Sequence, residues 1–176
     1  RYAAGHTWVS TGPTPGDSSV RVGLDGFATS LLPRPTAVTC AGSPRVLARG
    51  DVICDIELPE GTLSVRAPVG GQLVRDNAAL RQRPGLIVES PYQDGWLAEL
   101  IPAWDAAALE ECLDAGRANA RSQIHLRHFR RRVALRLLAD VASVGPTMQD
   151  GGQPLISLSE ILGAPQYLRI LREVLR

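Results

Sequence analysis

Lysine is missing altogether: all nineteen basic residues of this 176-residue chain are arginine. A guanidinium keeps its proton and is a poor nucleophile, so Schiff-base chemistry and any group carried on a lysine amide are excluded. Aromatic residues are scarce, at 5%. No run approaches ~18 uninterrupted apolar residues, which excludes a transmembrane helix. The three cysteines, Cys40, Cys54 and Cys112, are widely spaced and form no CxxC. They offer no metal-ligand spacing. Each is expected to be a small buried hydrophobe in a reducing compartment, which points to the cytoplasm. No glycine-rich loop follows a strand and opens a helix; Gly70-Gly71 and Gly151-Gly152 read as turns.

What is present is ordinary in amount and uneven in arrangement. A hydrophobic fraction of 44% with 21% charged residues suits a soluble globular chain with enough length to bury a core. Residues 1–116 carry nine arginines against fourteen acids, and residues 117–176 carry ten arginines against four acids. The halves therefore differ in sign, and the shift near Gly116 is taken as a domain boundary.

The first two-thirds read as short strands broken by turns, an all-β pattern. His6–Ser10 and Ser19–Leu24 are expected to pair as a hairpin with a long loop, and Asp25 to cap a short helix over GFATSLL that Pro33 and Pro35 end. Alternation marks Val52–Leu58 and Thr62–Arg66 around the turn Pro59-Glu60-Gly61, then Gln72–Val74, then a strand over roughly Gly95–Ile101. Trp104-Asp105 opens a helix expected to end near Gly116. From Arg121 the period becomes helical: Phe129, Val133, Leu137, Val141 and Val144 recur at steps of three and four, widened by Ala134 and Leu138. Gly145-Pro146 ends that helix. Two short helices are expected over SLSEIL and QYLRILREVLR, and Ser157 with Glu160 forms a capping box for the first.

Four segments in order resemble the glycine cleavage H protein family: H-T-W-V at 6–9, V-G-L-D-G-F-A at 22–28, A-P-V-G-G-Q-L-V-R-D-N-A-A-L at 67–80, and P-G-L-I-V-E-S-P-Y-Q-D-G-W-L at 84–97. The resemblance covers about residues 2–117. It implies a barrel-sandwich hybrid, two small sheets with a tight hairpin that presents a lipoyl lysine, here followed by C-terminal helices. Gly23, Gly71 and Gly95 fit positions of tight bend or close backbone approach. The expected domains are 1–117, the H-protein-like module, and 118–176, an arginine-rich helical extension. Counting without gaps from Val22-Gly23 forward and from Ala67-Pro68 back places Glu60 at the family's lysine position, with Glu57 at the glutamate before it. A glutamate forms no lipoyl amide, so the chain is expected to carry no arm and no cofactor, and not to be an enzyme.

Other chemistry weighs less. Asp55, Glu57 and Glu60 make an acidic hairpin without a nucleophile or pocket to give them acid–base work, and a solvated or partner-facing turn is expected. His125 and His128 stand at i, i+3 without a third ligand, so a helix surface or packing contact is expected in place of a metal site. His6 and Trp8 read as core framing. The run RHFRRR at 127–132 lies on a helix with a full apolar stripe, which favours docking on a protein over phosphates or an anionic membrane surface. The expected partner-binding residues are Phe129, Arg130, Arg131, Arg132, Val133, Arg136, Leu137 and Val141. The expected role is a non-catalytic accessory or scaffold subunit that binds protein partners in a larger assembly, a redox complex among the candidates. The rivals are a component or regulator of a lipoate-dependent enzyme system, and a nucleic-acid or membrane adaptor.

Overall fold

The computed structural model of the chain describes residues 1–11, 18–103, 112–141 and 158–175. Nine strands form two antiparallel sheets. They are β1 (Tyr2–Ala3), β2 (Thr7–Thr11), β3 (Val20–Leu24), β4 (Ala37–Cys40), β5 (Arg45–Leu47), β6 (Val52–Leu58), β7 (Gly61–Arg66), β8 (Gly71–Asp76) and β9 (Ala98–Pro102). The larger sheet runs β1-β2-β3-β9-β8-β5 and the smaller β4-β6-β7. Among the described helices, α1 (Gly26–Leu31), α2 (Ala79–Gln82) and α3 (Leu86–Glu89) join strands. The others are α4 (Ala115–Val141), α5 (Leu158–Leu162) and α6 (Ala164–Val174).

Alternation places the core. Ile56 and Leu58 of β6, Leu63 and Val65 of β7, and Leu73 of β8 are buried while their neighbours face out. They meet Val22, Leu97 and Leu100 in one cluster. The expected β2–β3 hairpin forms, with Thr7 opposite Leu24. Asp25 caps α1, its Oδ1 accepting from Ala28 N at 2.9 Å, as its place before the helical run implied. A Cβ on Gly23 would meet the Trp8 ring, and one on Gly71 or Gly95 would meet backbone carbonyls, so all three glycines serve close approach.

The stretch Pro91–Leu97 earns its residues structurally. Trp8 Nε1 donates to Pro91 O at 3.1 Å, and Gly26 N donates to Tyr92 Oη at 2.7 Å. Trp96 lies under the guanidinium of Arg21, 4.7 Å from the ring centre. Arg75 holds the buried Glu99 with two N–H donors at 2.9 and 3.2 Å, a charge-assisted fork.

Several expectations are corrected. Cys40 and Cys54 are not separate thiols: they face each other across β4 and β6 and are joined as a disulfide, while Cys112 is buried and lies outside that bond. The premise for a reducing compartment falls with that bond. The strand expected over Gly95–Ile101 is β9 at Ala98–Pro102. Gly116 does not end a helix but lies in the first turn of α4, which starts at Ala115 because Asp114 Oδ1 accepts from Arg117 N at 2.8 Å. The compositional boundary thus falls inside a helix. Residues 104–111, where the preceding helix was expected, and 142–157, with Val144, Gly145-Pro146 and Ser157, lie outside the described residues. Strands β4 and β5 were not expected; each is short and carries one inward residue, Val38 and Leu47 respectively. Among the described residues no helix is long and apolar enough to cross a membrane.

Candidate functional site: a hairpin tip under a helix

Strands β6 and β7 pair up to Leu58–Gly61, so Pro59 and Glu60 form a two-residue tip. Proline presets φ for the first turn position, and Gly61 takes φ +130°, a conformation glycine adopts without a Cβ penalty. Glu60 is half-buried, and its Oε2 is enclosed with no hydrogen-bond partner among the described residues. Asp55 accepts from Ser64 Oγ at 2.6 Å, and Glu57 points to solvent. Of the three acids only Glu57 is exposed, while Asp55 and Glu60 are half-buried.

The reason Glu60 is enclosed is α6. Its residues Tyr167, Leu168, Ile170 and Leu171 are buried, and a Cβ on Gly61 would lie 2.7 Å from Leu168 Cδ2. Arg172 Nη2 donates to Thr62 O at 2.6 Å, and Tyr167 Oη donates to Leu31 O at 2.6 Å. Burial, and then the Glu60 carboxylate, raise the Tyr167 hydroxyl above its ordinary range. The C-terminal helix therefore lies on the strand that leaves the tip. A helix on the hairpin was not foreseen, although the spacing of Tyr167, Leu168 and Leu171 is that of an apolar face.

The long helix turns its stripe inward. Phe129 and Val133 are buried, Leu137 packs against the same core, and Phe129 meets Tyr167 edge-on at 6.5 Å. The expected docking surface is thus covered by the chain itself, because α5 and α6 supply the partner that the stripe needed. Val141's side chain lies outside the described residues. Arg130, Arg131, Arg132 and Arg136 are exposed, and Arg132 pairs with Glu173 of α6 at 2.6 Å. The outer face also shows Ile124, Leu135 and Leu138, the last 66% exposed.

The histidines sort differently. His6 is fully buried; its Nδ1 meets Asp25 Oδ2 at 2.9 Å and its Nε2 meets His125 Nδ1 at 2.7 Å. Burial and the neighbouring His6, Arg121 and His128 hold the His125 imidazole below its usual value. His125 is the packing contact that its place on an arginine helix allowed, and the described residues hold no cluster of three metal-ligating side chains. No signal in either segment marked His6 and His125 as neighbours, since 119 residues separate them.

Two sheets around a shared core, with a tight hairpin leaving the smaller one, define a lipoyl-domain type of module. The family model for "Glycine cleavage H-protein" matches residues 1–124, and the chain belongs to that family. It is 38% identical over 115 residues to the glycine cleavage system H protein of Alteromonas mediterranea, covering 65% of this chain and 86% of that one. It is 32% identical to the Thermus thermophilus H protein with the same coverage. A crystal structure of the Mycobacterium marinum H protein superposes with a TM-score of 0.60 at 27% identity, covering 69% of this chain and 94% of that chain. Members of the family are carriers and not catalysts, so the chain is not an enzyme.

Proposed function

We propose that this chain is a non-lipoylated H-family protein that serves as an accessory subunit for protein partners. One observation carries the reading: the hairpin tip is Pro59-Glu60 in a chain without lysine. The residues do not fit a lipoyl group, because its amide needs a side-chain amine and a carboxylate offers none. The helix α6 across β7 supports the same reading, since a swinging arm needs an open tip. The partner surface is the outer face of α4, where Arg127, Arg130, Arg131 and Arg136 surround Leu135 and Leu138. Arginine with exposed leucine suits an acidic protein surface. A second reading, a component or regulator of glycine cleavage or another lipoate-dependent system, is favoured by the match over residues 1–124.

The test is intact mass after co-expression with a lipoyl ligase and lipoate. The native chain is expected to show no lipoyl adduct, and an adduct on residues 50–70 would overturn the reading. The Glu60→Lys variant reports on the register. It is expected to accept the group once α6 is deleted.

A further inference from the structure

Helix α4 carries a second stripe besides the buried one. Ile124, Leu135 and Leu138 are 46%, 56% and 66% exposed, and Arg127 and Arg131, also exposed, stand between them. The five recur at steps of three and four, the spacing of a helix–helix seam. At about 100° per residue they share an arc of roughly 80°, on the side away from Phe129 and Val133. The seam is about 21 Å long at ~1.5 Å per residue. Along it the order is apolar, two arginines, apolar, with Arg131 midway between Ile124 and Leu138. Arg127 Nε donates to Gln123 O at 3.4 Å, and its terminal nitrogens carry further N–H donors, since arginine has five.

We propose that this seam docks one amphipathic helix of a partner protein, with carboxylates at the helix centre and aliphatic side chains at its two ends. The order of residues along the seam chooses the occupant. A second copy of α4 does not fit: antiparallel pairing about the midpoint sets Arg131 against Arg131, and parallel pairing sets each arginine against its own copy. Like charges across a seam repel. Two glutamates four positions apart on the incoming helix meet Arg127 and Arg131 instead, each carboxylate matching a planar guanidinium in two parallel hydrogen bonds. Leucines at its ends cover Ile124 on one side and Leu135 with Leu138 on the other, removing apolar surface from water. Nucleic acid would take the arginines but set phosphates against three apolar side chains. An anionic bilayer needs an apolar face apart from the basic one, and the apolar face of α4 is already buried in the protein. The proposal rests on the outer face of α4 being the partner surface, and it is independent of Glu60.

The experiment is fluorescence anisotropy of a labelled synthetic helical peptide titrated with the full chain. The peptide has leucines at both ends of one face and two glutamates four apart between them. One control replaces the glutamates by lysines, and another replaces the leucines by serines. The acidic peptide is expected to bind saturably, one per chain, with both controls at least about tenfold weaker. Arg131→Glu is expected to weaken the acidic peptide at least tenfold and to strengthen the lysine peptide, a reversal that loss of structure cannot produce. Leu138→Ser is expected to weaken the acidic peptide without changing which charge is preferred. Circular dichroism confirms that the variants, both at exposed positions, are folded. No saturable binding, equal binding of the acidic and lysine peptides, or no reversal in Arg131→Glu would each overturn the seam. So would a DNA duplex or phosphatidylserine vesicles that outcompete the acidic peptide at physiological salt, or self-association of the chain that Arg131→Glu abolishes. None of these outcomes touches the lipoyl adduct assay, so the seam and the non-lipoylated reading fail separately.

Discussion

At His125 a single proton has a structural consequence. The Asp25–His6–His125 chain joins α1 and β2 to α4 through hydrogen bonds of 2.9 and 2.7 Å. Charged groups face His125 from several elements: Arg121 and His128 on α4, Asp25 before α1, and His6 before β2. Glu173 and Arg132 line the small pocket beside it. Its folded pKa is depressed by burial and then by the neighbouring His6, Arg121 and His128, whereas in the unfolded chain it titrates near ~6.5. The unfolded state therefore binds more protons just below that value, so stability is full above about 6.5 and falls as the pH drops. The melting temperature is expected to decline as the pH drops below about 6.5, and less steeply in His125→Gln, which keeps a hydrogen-bonding group and cannot protonate. Equal slopes for both proteins would remove His125 from the effect.

The cysteines make a second residue-scale prediction. The Cys40–Cys54 bond leaves Cys112 outside it. Thiol titration of the denatured chain is expected to count one group before reduction and three after. Spacing alone hid the pair, because fourteen residues of separation say nothing about which strands become neighbours. Strand β4, with one buried apolar residue, is too short for alternation to announce it.

Among the elements, the β6–β7 hairpin and the α1 cap were legible in the chain, since alternation, turn residues and an N-cap are local codes. The direction in which α4 turns was not. Periodicity shows that Phe129, Val133 and Leu137 share a face, but what covers the face depends on α6, more than thirty residues further on. The two faces can be separated by stability. Leu171, fully buried on α6, is expected to cost about 2–5 kcal/mol when replaced by alanine. Leu138→Ala, at an exposed position, is expected to change stability by no more than about 0.5 kcal/mol. Chemical denaturation of the two variants checks this. A large loss at Leu138 with none at Leu171 would mean that the helices pack by other faces.

For the whole molecule, the question is whether residues 1–117 fold without the extension. The core of the two sheets is internal to that segment: Val22, Ile53, Ile56, Leu73, Leu97 and Leu100 are each almost wholly buried. The extension adds Phe129, Val133, Leu162, Tyr167, Leu168, Ile170 and Leu171 to the same cluster. Each large side chain removed from water contributes roughly 1.5–3 kcal/mol, offset by the entropy of ordering α4 to α6. Helices α5 and α6 are five and eleven residues long, and isolated helices shorter than ~12–15 residues are marginal. We propose that residues 1–117 fold alone with a lowered melting temperature, and that 118–176 fold only on that module. Far-ultraviolet circular dichroism should show a cooperative β-type melt for the first fragment and no cooperative transition for the second. If 118–176 melts cooperatively by itself, or 1–117 is unfolded at ambient temperature, the helices are part of the folding unit and not a cover laid over it.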